Sequence, residues 1–492
     1  MKRIVYMVGI AILAVSCSDF LNIRPEGTTT ALSLDHSKAA NIFKPVSAAY
    51  AELRSYGSHS FPYVGCLEVT SDNADKGSTP EDGATMKQLD EFKWNAANEL
   101  IEAQWEAYYN IVSAANNALS QMDMFIEELI HDEEKDIARE CIGDAKFIRA
   151  YAYFRLVTMF GNIPVVDKVM SSDELASLNP STPSEVWKLI EDDLSDAVAR
   201  LPESWPKSYS GRATKYSAMA LKAKVHLYQG EYEEAALLCD AVIASEKYSL
   251  LPDFRSVFSI DQENSVESLF EIQSSDLGKA SGTAAFNTYA YVQGPRNNTP
   301  SNMQGWGFCV PSEDLIQFFE ERGETERAAA TFLYSGSTTP EGDYISDRCP
   351  NPVYNGKVYT PSQYNDWGNN GYGYDYNIRI IRYSDVLLMF AESLARVPSV
   401  SGLKSGYTAQ TALDEVRSRV GLASVAPTVD NILDERRAEF AMEEDRYMDL
   451  IRTGKAAEVL GPKGYVEGKH NLFPIPSKQL QLNDRLKQNP NY

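Results

Sequence analysis

Long segments of this sequence carry apolar side chains at alternating spacings of three and four residues. In residues 104–123, QWEAYYNIVSAANNALSQMD, the recurring positions are Trp105, Tyr108, Val112, Ala115, Leu119 and Met122. That period of about 3.6 residues puts them on one face of a helix, which needs a packing partner to be buried. Repeated faces of this kind predict a mainly α-helical core.

The same pattern returns in residues 143–166, GDAKFIRAYAYFRLVTMFGNIPVV, at Phe147, Tyr151, Phe154 and Val157. Gly161 and Pro164 follow it, and both residue types are common just beyond the last turn of a helix. We therefore expect a long helix that ends near residue 160.

A helix pair is predicted in residues 213–245. The first inner stripe is Ala218, Leu221, Val225 and Tyr228, and the second is Tyr232, Ala235, Cys239 and Val242. Gln229 and Gly230 form the turn between them. The spacing of Leu227, Gly230 and Ala235 is close to that of tetratricopeptide repeats, in which small residues let antiparallel helices approach. No strict 34-residue period runs along the chain, so the helix pairs are degenerate.

The amino-acid composition of the chain changes at about residue 251. Residues 251–379 are rich in Gly, Asn, Pro and aromatics without a helical period, apart from a strand predicted in ESLFEIQSS (267–275). These long loops are predicted as an insert between a helical scaffold at about 36–250 and another at about 380–460. Residues 465–492 are predicted as an extended tail. Loops on a rigid scaffold often carry function.

The N-terminus has the layout of an export signal. Lys2 and Arg3 precede an apolar run from Ile4 to Val15, and small residues precede Cys17. Twelve helical residues reach only about 18 Å, too short to span a bilayer. Residues 1–16 resemble a lipoprotein signal peptide that ends at a lipidated cysteine, although the leucine, Leu13, stands one place earlier in the chain than usual, where Ala14 occupies its ordinary position. Simple cleavage of a soluble secreted protein is the alternative.

Composition excludes several function classes. The formal net charge is −23, and it becomes −25 once Lys2 and Arg3 leave with the signal; that charge repels phosphate backbones and argues against nucleic-acid binding. Without Cys17 the cysteines are odd in number, and no CxxC or HExxH motif occurs. His226 is interpreted as a core or surface residue. We therefore predict no catalytic residue, no metal and no cofactor.

One predicted helix, from about residue 430, carries charge within its apolar stripe. Arg437 and Glu444 alternate with Leu433, Phe440 and Tyr447 at the same spacing. Buried there, each charge needs a partner on another segment. A structural ion network is the favoured interpretation, and Glu444 with Glu439 as catalytic acid and base is the alternative.

Seven separated motifs, in order from Cys17 to Tyr492, resemble the SusD/RagB family of nutrient-binding lipoproteins. They are CSDFLN, WEAYYNIVSAAN, AKFIRAYAYFRLVTMFGNIPVV, the 227–235 helix pair, IRYSDVLLMFAESLA, DERRAEFAMEEDRYMDLIRTG and QNPNY. The resemblance implies a mainly α fold with tetratricopeptide-like helix pairs, long irregular loops and a few short strands. It also implies a surface-exposed protein anchored through lipidated (palmitate-carrying) Cys17 in the outer membrane of a Bacteroidetes-type bacterium, beside a SusC-like TonB-dependent barrel.

The function that follows is capture of an oligosaccharide and its delivery to the barrel, without chemistry. A glycan site needs exposed aromatic rings and planar polar side chains. The candidate ligand-binding residues are Asp72, Asn73, Trp94, Tyr289, Tyr291 and Trp306, and a second candidate patch is Trp367, Tyr372 and Tyr374. Peptide capture in the manner of RagB is the alternative, and a glycoside hydrolase is a more distant one.

Overall fold

The computed structural model describes residues 34–275, 287–298, 304–364 and 375–492. The signal segment, Cys17 and the patch of Trp367, Tyr372 and Tyr374 lie outside the described residues. Most of the described chain is helical, as the apolar periodicity predicts. No helix in the described ranges is both long enough and apolar enough to cross a bilayer.

The first half of the chain is built from helices of very different length, together with one short strand. In chain order the elements are α1 (Phe43–Glu52), α2 (Tyr56–His59), α3 (Phe61–Val64), β1 (Ala74–Gly77), α4 (Ala84–Asp90), α5 (Glu99–Glu128), α6 (Asp132–Phe160), α7 (Ser172–Ala176), α8 (Pro183–Arg200), α9 (Lys215–Gln229) and α10 (Tyr232–Ile243). A π-helical turn, Gly65–Val69, follows α3.

The second half mixes short strands with helices. Its elements are β2 (Ser268–Ile272), α11 (Tyr289–Gln293), β3 (Phe308–Pro311), α12 (Glu313–Arg322), α13 (Thr325–Thr331), β4 (Phe332–Tyr334), β5 (Val353–Asn355), β6 (Ile378–Arg382), α14 (Tyr383–Arg396), α15 (Ala409–Arg419), α16 (Val429–Glu439), α17 (Arg446–Arg452), α18 (Ala456–Leu460) and α19 (Ser477–Leu482).

Successive helices pack side by side in a continuous layer. The helix α5 packs on α6, α6 on α8, α8 on α9, α9 on α10, and α10 on α14, which also contacts α15 and α16. The predicted stripes face this core: Trp105, Tyr151 and Leu221 are all at most 4% exposed. Apolar periodicity therefore places the main helices correctly. The tetratricopeptide-like character of the pairs stays a prediction.

Local sequence signals set the helix ends. The Asn98 side chain accepts from the amide of Leu100 at the start of α5, and Thr214 forms a capping box with Ser217 at the start of α9. Gly161 follows α6 as predicted, and Gly230 ends α9 in the left-handed region at φ 78°.

The strands form three two-stranded antiparallel sheets within the described ranges: β1 with β3, β2 with β6, and β4 with β5. In the first sheet Ala74 lies opposite Pro311 and Gly77 opposite Phe308. This pairing joins two segments more than 230 residues apart. The predicted strand in 267–275 is confirmed as β2, whereas sequence periodicity missed the ten-residue helix α12.

The prediction of one continuous helix from about residue 430 is wrong, because α16 ends at Glu439 and a separate helix, α17, begins at Arg446. Between them Met442 and Glu444 have φ angles of 65° and 62°, which a helix cannot contain. Both amides donate to the buried carboxylate of Glu68, at 3.1 and 2.7 Å. The Glu68 carboxyl thereby accepts the hydrogen bonds that backbone carbonyls would accept in a continuous helix.

The C-terminal tail packs on the helical body, as expected. The Phe473 amide donates to the Met159 carbonyl at 2.7 Å, and the Asn489 side chain donates to the Phe160 carbonyl at 3.0 Å. The tail thereby covers the end of α6, and it contains the short helix α19.

Candidate functional site

The sheet of β1 and β3 brings the early candidate residues next to the central loop. The Ser312 amide donates to the Asn73 carbonyl at 2.9 Å, and its hydroxyl donates to the Asp72 carbonyl at 2.6 Å. On the other side of the sheet, the Ser78 hydroxyl donates to the Trp306 carbonyl at 2.9 Å. The structure thus brings Asp72, Asn73, Tyr289, Tyr291 and Trp306 into one region.

The indole of Trp306 is partly exposed, and the backbone that carries it packs tightly against residues 291–294. Its amide donates to the Tyr291 carbonyl at 2.9 Å, and its ring meets Tyr291 edge to face at 5.6 Å between centroids. A Cβ on Gly305 would lie 2.2 Å from the Gly294 carbonyl oxygen, so only glycine fits there. Gly307 has a φ of 74°. The indole therefore stands on a backbone that the glycines allow to pack tightly.

Polar side chains lie beside the backbone of Trp306 and Gly307. The Arg296 guanidinium donates to the Ser78 hydroxyl at 2.8 Å and pairs with Asp82. The side chains of Arg296 and Asp82 are 33% and 41% exposed, so both remain within reach of a ligand. Asn351 donates to the Gly307 carbonyl at 3.4 Å. The region therefore combines an aromatic face with planar hydrogen-bonding groups, the combination that sugars require.

Asp72 and Asn73 lie in a buried ion cluster just behind this surface. Arg446 holds Asp72 through both carboxylate oxygens, at 2.8 and 2.9 Å, and Arg437 lies 3.0 Å from the same group. Burial alone would raise the pKa of Asp72, but Arg446 and Arg437 outweigh it and hold that pKa below its ordinary value. Arg437 also donates to the Asn73 side chain. Both candidates therefore support the site more than they line it.

Three predicted aromatics turn out to be core residues. Trp94 is 2% exposed, and its indole nitrogen donates to the Tyr492 hydroxyl at 2.9 Å, among the aromatics of the C-terminal tail. Tyr289 is 4% exposed, and its hydroxyl donates to the Glu444 carboxyl at 2.9 and 3.0 Å. Tyr291 is 8% exposed. None of these rings offers an open face for stacking.

Beneath Tyr289 lie two carboxyl groups, Glu68 and Glu444. Burial raises the pKa of Glu68 to about 7, although its hydrogen bonds from backbone amides lower it. Burial, and then repulsion from Glu68, raise the pKa of Glu444 well above its ordinary range. Both effects favour the protonated form of Glu444, which is enclosed in the core.

Glu439, its partner in the catalytic alternative, has a different environment. Arg382 and Arg327 lie 2.8 and 3.0 Å from its oxygens, and Arg419 pairs with it too. Burial opposes ionisation, but these cations together lower the pKa of Glu439 well below normal. Arg437 pairs with Asp72 and Asp314, so it has ionic partners on other segments, as predicted. Glu444 instead accepts from the Tyr289 hydroxyl, a neutral partner, so the predicted ion network does not include it.

Sequence reasoning did not single out Ser78, Arg296, Asp82 or Asn351. The signal was weak, because these polar residues sit in loops and turns without a repeating pattern. Only the pairing of β1 with β3 brings residues 78–82 to residues 296 and 306. The acidic loop at residues 72–83 holds a cation of the protein itself. The Lys76 ammonium donates to the carbonyls of Gly77, Thr79 and Asp82 and occupies the centre of that turn.

The protein is a helical scaffold whose loops carry an aromatic and polar surface around Trp306. Two family models match it. One, described as starch-binding and associating with the outer membrane, covers residues 59–227, and the SusD family model covers residues 266–492. The chain belongs to the SusD/RagB family.

SusD-like relatives align with almost the whole chain. SusD-like protein P2 of Formosa agariphila is 28% identical over 97% of both chains. Among solved structures, a laminarin-binding SusD-like protein is 28% identical with a TM-score of 0.80, over 92% of this chain and 99% of that one. Surface glycan-binding protein A from Bacteroides thetaiotaomicron, in complex with laminarihexaose, is 25% identical with a TM-score of 0.77, over 92% and 99%.

Proposed function

We propose that this protein binds an oligosaccharide at the cell surface and that the Trp306 region is the binding surface. The observation that carries the proposal is the partly exposed indole of Trp306, flanked by Arg296, Asp82 and Asn351. Pyranose rings present apolar C–H faces that stack on aromatics and hydroxyls that pair with such polar groups. The similarity to a laminarin-binding protein and to a laminarihexaose complex supports the same class of ligand.

The protein acts by binding and not by catalysis. Hydrolysis of a glycoside needs two carboxyl groups about 5–10 Å apart that face each other across a sugar. Of the carboxyl groups weighed for that role, Glu439 is held by three arginines and Glu444 lies enclosed beneath Tyr289. Both have structural partners, and the two similar solved structures are described as a laminarin-binding protein and a surface glycan-binding protein.

We further propose that the captured glycan passes to a SusC-like TonB-dependent barrel, with the protein tethered beside it through acylated Cys17. Support comes from the family description, which includes association with the outer membrane. Two or more acyl chains hold a soluble body firmly at a membrane, whereas one holds it only weakly. Labelling with a palmitate analogue should mark the wild type and leave Cys17→Ser unlabelled in the soluble fraction.

The test of the ligand class is a binding panel with residues 18–492. Laminarihexaose, maltohexaose, cellohexaose and a peptide digest are compared by isothermal titration calorimetry and pull-down. Saturable binding of one glycan class is the expected result. Retention of peptides without binding of any glycan would contradict it and favour the RagB-like alternative. Release of reducing sugar from a bound glycan would contradict the absence of catalysis.

A further inference from the structure

Three metal-binding side chains from consecutive helices meet beside the turn between α9 and α10. Glu191 lies in α8, His226 in the last turn of α9, and Glu231 immediately before α10. Their ligand atoms all lie within 4.8 Å of one another, and His226 Nδ1 is 2.6 Å from Glu231 Oε2. Gly230, at φ 78°, reverses the chain so that residues 226 and 231 face each other.

A fourth donor group reaches the same point. The side-chain amide of Gln229 donates to Glu191 Oε1 at 2.7 Å. The amide also carries an oxygen, and a half-turn about its last side-chain bond presents that oxygen in place of the nitrogen. One imidazole, two carboxylates and an amide therefore converge within reach of one ion.

The charge of this cluster is only partly offset by neighbouring cations: Lys188 attracts Glu191 electrostatically, but it forms its ion pair with Asp192. Within the described ranges, no lysine or arginine nitrogen forms an ion pair within 4.0 Å of Glu191 or Glu231. Two residues after Glu191, by contrast, Asp193 pairs with Arg149 at 2.7 Å. Lys222, one turn before His226, donates instead to Ser195. Two carboxylates beside a histidine without a cationic partner leave a local negative charge that a bound cation would neutralise.

We propose that Glu191, His226 and Glu231 bind a divalent transition-metal ion, for which Zn²⁺ is the best fit. Imidazole nitrogen with carboxylate oxygen is a ligand set that Zn²⁺ accepts, whereas Ca²⁺ and Mg²⁺ prefer oxygen alone. Tetrahedral zinc bonds of about 2.0–2.2 Å place the ligand atoms roughly 3.3 Å from one another. His226 Nδ1 and Glu231 Oε2, which stand 2.6 Å apart, must therefore separate as the ion enters between them. The side chain of Glu231 is 45% exposed and can rotate to allow this.

The bound ion would cross-link α8 to the turn between α9 and α10. The sequence alone does not suggest this site, because its ligands are 35 and 5 residues apart, on two helices and the turn that follows them, and because His226 is interpreted there as a core or surface residue. The site is independent of the glycan surface, since none of its residues contacts the Trp306 region.

The experiment titrates ZnCl₂ into EDTA-treated residues 18–492 and compares the wild type with Glu191→Gln, Glu231→Gln and the control Glu234→Gln. Glu234 is exposed in the first turn of α10 and lies outside the cluster. His226 is left unchanged because it is buried and its replacement risks the fold. Circular dichroism without metal verifies that each variant is folded, and parallel titrations with CaCl₂ test selectivity.

We expect one saturable Zn²⁺ site in the wild type and in Glu234→Gln, with binding about tenfold weaker or more in each cluster variant. The melting temperature should rise with Zn²⁺ in the first two proteins only. Absence of saturable Zn²⁺ binding in the wild type, equal binding by all four proteins, or tighter binding of Ca²⁺ than of Zn²⁺ would overturn the proposal.

Discussion

Replacing Glu439 by glutamine is expected to destabilise the protein strongly. Three arginines converge on this carboxylate, which has no exposed surface: Arg382 at 2.8 Å, Arg327 at 3.0 Å, and Arg419. Removing one partner from a buried ion pair costs about 3–5 kcal/mol, because the charges left behind are uncompensated. We expect Glu439→Gln to lower the free energy of unfolding by about that amount at pH 7.

The same substitution five residues later should have little effect. Burial and repulsion from Glu68 keep the pKa of Glu444 well above its ordinary value, which favours the uncharged form of its carboxyl. Glu444→Gln exchanges one neutral hydrogen-bonding group for another, and the Tyr289 hydroxyl can still donate to the amide oxygen. The expected change in the free energy of unfolding is below about 1 kcal/mol.

Urea unfolding of residues 18–492, followed by circular dichroism and tryptophan fluorescence, measures both effects. Glu326→Gln is the matched control, because Glu326 is exposed in the first turn of α13. If Glu439→Gln unfolds at the same urea concentration as the control, the arginine network contributes nothing and the reasoning fails. If Glu444→Gln is as unstable as Glu439→Gln, Glu444 is charged in the folded protein.

Three further predictions concern the site backbone, pH and the thiols. Gly305→Ala should abolish glycan binding, because its Cβ would lie 2.2 Å from the Gly294 carbonyl oxygen beneath Trp306. Gly461→Ala, where a Cβ meets no atom within 4 Å and φ is not positive, should bind normally in calorimetry, and equal binding by both variants would contradict this. The folded pKa of Glu68 is about 7 against an ordinary 4.5, so its contribution is complete below about pH 4.5 and is lost, by about 3 kcal/mol, as pH rises through 7. Urea midpoints across that window should therefore depend less steeply on pH in Glu68→Gln, and an unchanged slope would refute it. A thiol reagent should label the native protein negligibly and label it fully in urea, because the structure buries Cys66, Cys141, Cys239, Cys309 and Cys349.

Much of the fold follows from the sequence because apolar period and helix caps are local signals. The stripes of α5, α6, α9 and α10, and the end of α6 at Gly161, are where periodicity predicts them. The break after Glu439 was not predictable in this way, because the apolar spacing continues through it. The break depends on Glu68, some 370 residues earlier, whose carboxylate binds the amides of Met442 and Glu444.

The candidate site could be predicted only in part, for a similar reason. The sequence indicates which segments carry candidate residues, and those of Asn73 and Trp306 do meet at the sheet of β1 and β3. It does not indicate which rings face outward: Trp94 and Tyr289 are enclosed by Tyr492 and Glu444, partners that only the tertiary structure supplies. Polar neighbours of Trp306, such as Arg296, depend on the pairing of β1 with β3.

The central claim, glycan binding at Trp306, is tested most directly by titrating laminarihexaose into the wild type, Trp306→Ala and Trp205→Ala. Trp205 is a partly buried tryptophan in the connection between α8 and α9, where it stacks on Arg212, and it serves as the matched control. We expect saturable binding by the wild type and Trp205→Ala, with binding weakened roughly thirtyfold, or about 2 kcal/mol, in Trp306→Ala. Equal affinity of all three proteins, or no binding by the wild type, would contradict the account.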